Sequence, residues 1–156
     1  MKKRIPDKIY SQILDNTVIS AVDAIICHNG KVLLGLRNQE PCKGQWWIPG
    51  GRQEKGETGE EAIVRKVREE IGLDIKVEKL VGVYDAIFDK TAFPKVTTGV
   101  HYIVRVYLVT PINPNQEIKL DNTQNKYRWI DKIEEQLDEE YIKKVLKDSG
   151  VFEKSK

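Results

Sequence analysis

The sequence predicts an α/β (α+β) domain, a mixed sheet with helices packed against it. Residues 17–27 (TVISAVDAIIC) form a Val- and Ile-rich run that reads as a buried strand, and Asn29-Gly30 follows it as a hairpin turn. Residues 58–71 change to helical periodicity, and strand patterns return at 76–88 and 99–109 before a last helical stretch. The order strand, strand, helix, strands, helix argues against a doubly wound parallel sheet.

Each element has its own local reason. The second hairpin strand is Lys31–Arg37 (KVLLGLR). A loop follows with Pro41, Gly44, Pro49, Gly50 and Gly51, enclosing the aromatic segment Trp46-Trp47-Ile48. Thr58 is the expected N-cap of the central helix, with Glu61 completing a capping box and Gly72 as the stop. Within Gly99–Val109, Val100, Tyr102, Val104, Val106 and Leu108 alternate onto one face. A short strand, Tyr127–Ile130, precedes a helix expected from Glu134 to Lys147, whose acids come first and lysines last. Leu137, Tyr141 and Val145 form its apolar stripe, which reads as structural packing.

Composition limits the function. The chain has 156 residues, enough for one domain (1–156) with a sizeable core, and neither a repeat nor a linker divides it. Its net charge of +2 is too small for a nucleic-acid surface, while a local arginine cluster would suffice for a phosphorylated small molecule. No apolar run approaches a membrane span, and the charged start MKKRIPDKIY has no apolar stretch behind it, so no membrane partner or secretory signal is expected. Cys27 and Cys42 lack disulfide or zinc spacing and read as free thiols of a cytoplasmic protein.

At about 100° per residue, Ile63, Val64, Val67 and Ile71 share one arc of the central helix. Arg65, Lys66, Glu69 and Glu70 fall opposite, and Glu57 joins them from the preceding loop. The bland interpretation is a solvated face laced with the i,i+4 pairs Arg65–Glu69 and Lys66–Glu70. Against it stands the turn Pro49-Gly50-Gly51-Arg52, whose carbonyls can join carboxylates around a hard cation. Gly51–Thr58 (GRQEKGET) also imitates a phosphate-binding Walker A loop, but Glu57 stands where that loop requires lysine, so the P-loop reading fails.

Residues 51–73 resemble the Nudix box, G-x5-E-x7-R-E-U-x-E-E-x-G-U with U aliphatic. Gly51, Glu57, Arg65, Val67, Glu69, Glu70, Gly72 and Leu73 fit at the correct spacing, and Lys66 alone departs, replacing a glutamate. The resemblance implies an α/β/α sandwich around a mixed sheet, with helices on both sides. It further implies magnesium-dependent hydrolysis (manganese as a substitute) of a nucleoside diphosphate linked to another group, by a homodimer. Glu69, Glu70 and the Gly50 carbonyl would be metal ligands, Glu57 would support the metal or its water, and Arg65 would orient the glutamates.

Lysine cannot easily serve as a metal ligand or base. The preferred expectation for Lys66 is a solvent-directed side chain beside a metal site that kept its other ligands; the alternative is a phosphate contact. GDP-mannose mannosyl hydrolases, a Nudix branch that attacks the sugar carbon, lack the same glutamate. LLGLRNQEPCKGQWWIPGGR, HYIV at 101–104 and YRWI at 127–130 are similar to that branch. By that similarity Arg37 and Arg52 would bind the diphosphate, with Arg52 in the catalytic group, and Asp23 and Tyr102 would lie near the nucleotide or its leaving phosphate. The branch's base histidine aligns with Ala86, leaving Asp85 or Asp89 as substitutes, and Gln124 meets its metal-ligand glutamine only after a one-residue shift. His28 and His101 occupy strand positions and read as structural. The expected function is nucleotide-sugar hydrolysis; the alternatives are MutT-like triphosphate hydrolysis and a non-catalytic nucleotide-binding module.

Overall fold

A computed structural model describes residues 4–153. The apolar run after residue 17 becomes β1 (Ile19–His28), which pairs with β2 (Lys31–Arg37) across the Asn29-Gly30 turn. Five further strands complete the sheet: β3 (Trp46–Trp47), β4 (Gly50–Arg52), β5 (Ile75–Phe88), β6 (Val100–Pro111) and β7 (Gln124–Ile130). The strand path is β3-β2-β1-β6-β5, with β4 added to β1 and β7 to β2. β1 and β6 run parallel while the other pairs run antiparallel, so the sheet is mixed.

Alternation along β1 places successive residues on opposite faces. Val22, Ala24 and Ile26 pack into the core shared with α2 (Gly59–Ile71). Ala21 and Ile25 enter the core on the opposite face, shared with α3 (Ile142–Ser149). Asp23 stands between those two residues, so the one acid of the apolar run points to the α3 face.

The central helix has its expected limits. Glu61 N–H donates to Thr58 Oγ1 at 3.1 Å, and Thr58 N–H donates back to Glu61 Oε1 at 3.4 Å. Gly72 ends it in the left-handed region, at φ 77°. Ala62, Ile63, Val67 and Ile71 are fully buried, whereas Val64 is only partly so.

Two elements differ from the sequence expectation. The last helix is Ile142–Ser149, not 134–147, because Asp138 intervenes. Its Oδ1 accepts from the backbone N–H of Tyr141 and Ile142, at 2.7 and 3.1 Å, and restarts the helix there. Leu137, Tyr141 and Val145 are nevertheless all buried. The second difference is an unanticipated helix, α1 (Asp7–Asn16). It packs Leu14 against Ile19 and Val100, and Asp15 ties it to the Thr97 and Thr98 amides at 3.1 and 3.0 Å. Among the described residues, no helix is long and apolar enough to cross a membrane.

Because the capping box closes both ends of one exchange, Thr58→Ala should lower stability by about 1 kcal/mol. A domain of this size should then melt roughly 2–4 °C lower. An unchanged melting temperature would mean the box contributes nothing to holding α2.

Candidate functional site

A cavity of about 230 Å³ opens beside the short strand β4. Its wall includes Asp23, Arg37, Arg52, Lys66, Glu70 and Tyr102. Two glycines make this approach possible. A Cβ on Gly50 would lie 1.8 Å from Asp23 Oδ1, and one on Gly51 would lie 2.5 Å from Lys66 Cε. Gly50 pairs with Asp23 across the β4–β1 ladder, and on the other side the turn admits groups from α2.

Glu70 is the buried charge of the site, 6% exposed. Gly50 N–H donates to its Oε2 at 3.2 Å, and Gln124 Nε2 donates to the same oxygen at 3.3 Å. Lys66 Nζ lies 3.4 Å from Oε1. Desolvation raises the Glu70 pKa, and the Lys66 ammonium opposes that rise. Gln124 is itself buried, and its Oε1 has no hydrogen-bond partner. The close approach of that oxygen to β2 requires Gly35, where a Cβ would fall 1.6 Å away.

Glu57 and Arg65 do a different job. Arg65 Nε and Nη2 donate to the two Glu57 oxygens at 2.9 and 2.6 Å, and Nη2 also donates to the Arg52 carbonyl at 3.1 Å. Its Nη1 reaches both Glu69 oxygens at 3.2 and 3.1 Å. Arg65 therefore fastens α2 to the turn at Arg52 and the loop at Glu57. These hydrogen bonds, that to Glu57 foremost, push its own pKa further up. Glu57, which joins the polar face of α2 from the preceding loop, does not stand free beside Glu69 and Glu70, since it is engaged by Arg65 and by the Glu54 amide at 2.8 Å. Among the described residues, no group of three or more Asp, Glu, His or Cys side chains is arranged to hold a metal ion.

The solvent-directed expectation for Lys66 is also wrong. Its side chain is only 19% exposed, and its ammonium stands between Glu70 and Glu69, 3.6 Å from Glu69 Oε2. That position tests the fit of a divalent ion, because a cation already bridges the two carboxylates. Glu69, Glu70 and the Gly50 carbonyl are hard oxygen donors. Magnesium bound by one or two carboxylates, water and substrate phosphates needs no third side chain.

The residues expected to contact substrate line the same cavity. Arg37 is braced at the cavity wall, its Nε donating to the Pro41 carbonyl at 2.7 Å. The Arg52 guanidinium stacks over the Tyr10 ring, 5.3 Å from the centroid. Tyr102 is half-buried beside Phe88, and desolvation raises its phenol pKa. Asp23 accepts a short hydrogen bond from Tyr141, and burial pushes its pKa up to about 8. The Trp pair divides: Trp47 is buried and stacks on Tyr141 at 5.5 Å, while Trp46 lies under Arg128 at 4.6 Å.

Neither proposed base, Asp85 nor Asp89, lines the cavity. Asp85 is exposed and meets His101 at 2.8 Å on the face opposite Ala86, and Asp89 is exposed beyond the strand end. Ala86 itself is buried in the cavity wall. Cys42 also lines the cavity, but burial pushes its thiol up to about 12, which keeps it neutral. Two functional neighbours were not foreseen. Tyr10 belongs to α1, which the spacing of Tyr10, Ile13 and Leu14 signals. Tyr141 was read as packing only, and no local pattern reveals that its hydroxyl reaches Asp23.

Residues 18–148 match the NUDIX domain model. The low-salt glycan biosynthesis protein Agl8 of Haloferax volcanii is 35% identical over 123 residues, 79% of this chain and 78% of that protein. An ADP-ribose pyrophosphatase of Methanocaldococcus jannaschii is 52% identical over 66 residues, which are 42% of this chain and 39% of the relative. The solved MutT NUDIX hydrolase of Burkholderia pseudomallei superposes with a TM-score of 0.68 at 25% identity, over 85% of this chain and 98% of that one.

Asp23 yields a pH prediction. Its folded pKa, about 8, exceeds the ordinary carboxylate value, so between roughly pH 4 and 8 the folded chain holds a proton that the unfolded chain has lost. The group therefore destabilises the fold progressively as pH rises through that window, with the full loss reached above 8. In EDTA, Asp23→Asn should flatten the decline and melt at least about 2–4 °C above wild type at pH 8.5, equivalent to about 1 kcal/mol. Parallel melting curves for the two proteins would remove Asp23 as the cause.

Proposed function

This chain belongs to the Nudix family of hydrolases, and from that premise we propose that it hydrolyses a nucleotide sugar within the diphosphate. The observation that carries this is one cavity whose wall includes Arg37, Arg52 and the Glu70 carboxylate. Guanidiniums suit the phosphate oxygens, and a buried carboxylate suits a magnesium ion. The relatives support the substrate class, since one is named for glycan biosynthesis and another for ADP-ribose cleavage.

Glu69, Glu70 and the Gly50 carbonyl would hold the metal, with Gln124 steadying Glu70. Bound there, magnesium supplies neutralisation of diphosphate charge and an acidified water. Arg37 and Arg52 orient the diphosphate and stabilise the charge that develops on it. Arg65 fixes Glu69 and the turn, with Glu57 as its anchor, while Asp23 and Tyr102 face the nucleotide. Water adds across one P–O–P link, giving a nucleoside monophosphate and a sugar phosphate. Attack at phosphorus is favoured over attack at the sugar carbon because Ala86 offers no base in the cavity wall. The working unit is a homodimer, a reading supported by exposed Val83, Ile87 and Ile103 on one face of the sheet.

Product analysis tests this. Wild type with magnesium and GDP-mannose, ADP-ribose, a UDP-sugar or nucleoside triphosphates should release a nucleoside monophosphate and sugar phosphate from at least one nucleotide sugar, and nothing in EDTA. Free sugar with an intact nucleoside diphosphate would instead mean attack at carbon. Turnover of triphosphates alone would replace the substrate class, and no turnover of anything would leave a binding module. Glu70→Gln should lose at least about 100-fold in activity, whereas Glu57→Gln, acting through Arg65, should lose about 10–100-fold. Equal losses would refute the separation of their roles.

A further inference from the structure

Lys66 occupies a place that a surface helix pair does not explain. Its side chain is 19% exposed and that of its partner Glu70 is 7% exposed, so the pair is largely withdrawn from water. The order is also the weaker one for a helix, with the cation N-terminal to the acid. The Lys66 stem passes where a Cβ on Gly51 would stand, so the turn is shaped to admit it. The ammonium ends between the carboxylates of Glu69 and Glu70, and it lines the same cavity as Arg37 and Arg52.

We propose that Lys66 is a tethered cation that competes with the divalent ion for Glu69 and Glu70, so that metal enters this site chiefly together with a diphosphate. This rests on the reading of Glu69 and Glu70 as metal ligands. Without ligand, the ammonium neutralises Glu70 and holds it aimed at the Gly50 turn. A divalent ion arriving alone must displace that ammonium and finds few donors besides the two glutamates. An ion arriving on a diphosphate brings phosphate oxygens of its own, and it gives the displaced ammonium an anion to face in the same cavity. Glutamate at this position would attract the free ion, whereas lysine makes its retention conditional on substrate.

Manganese binding to metal-free protein, followed at pH 7.5 by the paramagnetic resonance of the free ion, tests the proposal with and without ADP. Wild type should bind manganese weakly alone and at least tenfold more tightly with ADP. Lys66→Met should bind manganese alone at least tenfold more tightly than wild type, and Lys66→Arg, which keeps the charge, should remain weak. Manganese should also raise the melting temperature of Lys66→Met more than that of wild type, because only the variant lacks the ammonium that stands between Glu69 and Glu70. Lys66→Gln, a polar neutral variant, repeats the measurement should Lys66→Met fail to fold. Neutral variants binding manganese no more tightly than wild type would overturn the proposal, as would a Lys66→Arg protein that gains affinity equally. Nucleotide-sugar turnover is scored separately on wild type. Turnover without the affinity gain refutes only the role of Lys66, and the affinity gain without turnover refutes only the reaction.

Discussion

The site depends on keeping one carboxylate, that of Glu70, out of water. An unpaired buried charge costs several kcal/mol, so the chain must surround it with compensating groups. The Gly50 amide, the Gln124 side-chain amide and the Lys66 ammonium do this from a strand, a distant strand and the helix itself. Each imposes a requirement elsewhere. Gln124 needs a bare Gly35, Lys66 needs a bare Gly51, and Gly50 must let Asp23 approach. Gly35 and Gly51 are thus explained by contacts that converge on Glu70, and Gly50 by the approach of Asp23.

The sheet supplies the geometry. β4 adds to β1 for three residues, and the cavity beside it is lined by groups from both faces of the sheet. From the α3 face come Asp23 and Tyr141, and from the α2 side come Glu70 and Lys66. Arg65 prevents α2 from sliding relative to this turn, because its guanidinium holds Glu57, Glu69 and the Arg52 carbonyl at once. Glu57 and Arg65 therefore act on the position of other groups, while Glu70 faces the cavity itself.

Features fixed by local chemistry were legible in the sequence. The hairpin at Asn29-Gly30, the Thr58 capping box, the Gly72 stop and the apolar arc of α2 depend on residues within one or two turns of one another. The shared side of Arg65, Lys66, Glu69 and Glu70 follows from helical spacing alone. What spacing could not give is direction at the end of a long side chain. Lys66 turns inward because Gly51, fifteen residues earlier, has no side chain to stop it. Tyr141 looked like packing because its ring is indeed stacked on Trp47, and only tertiary structure brings its hydroxyl to an acid 118 residues away. The last helix was drawn too long because Asp138 competes for backbone amides that periodicity assigns to the helix.

The most direct test of the account is the position of the metal when substrate-like phosphates are present. In a crystal grown with manganese and ADP, the anomalous difference map should place an ion within coordination distance of Glu70 and the Gly50 carbonyl, with the diphosphate between Arg37 and Arg52. An ordered ADP whose metal lies away from Glu70, or a diphosphate seated outside the Arg37–Arg52 cavity, would contradict it.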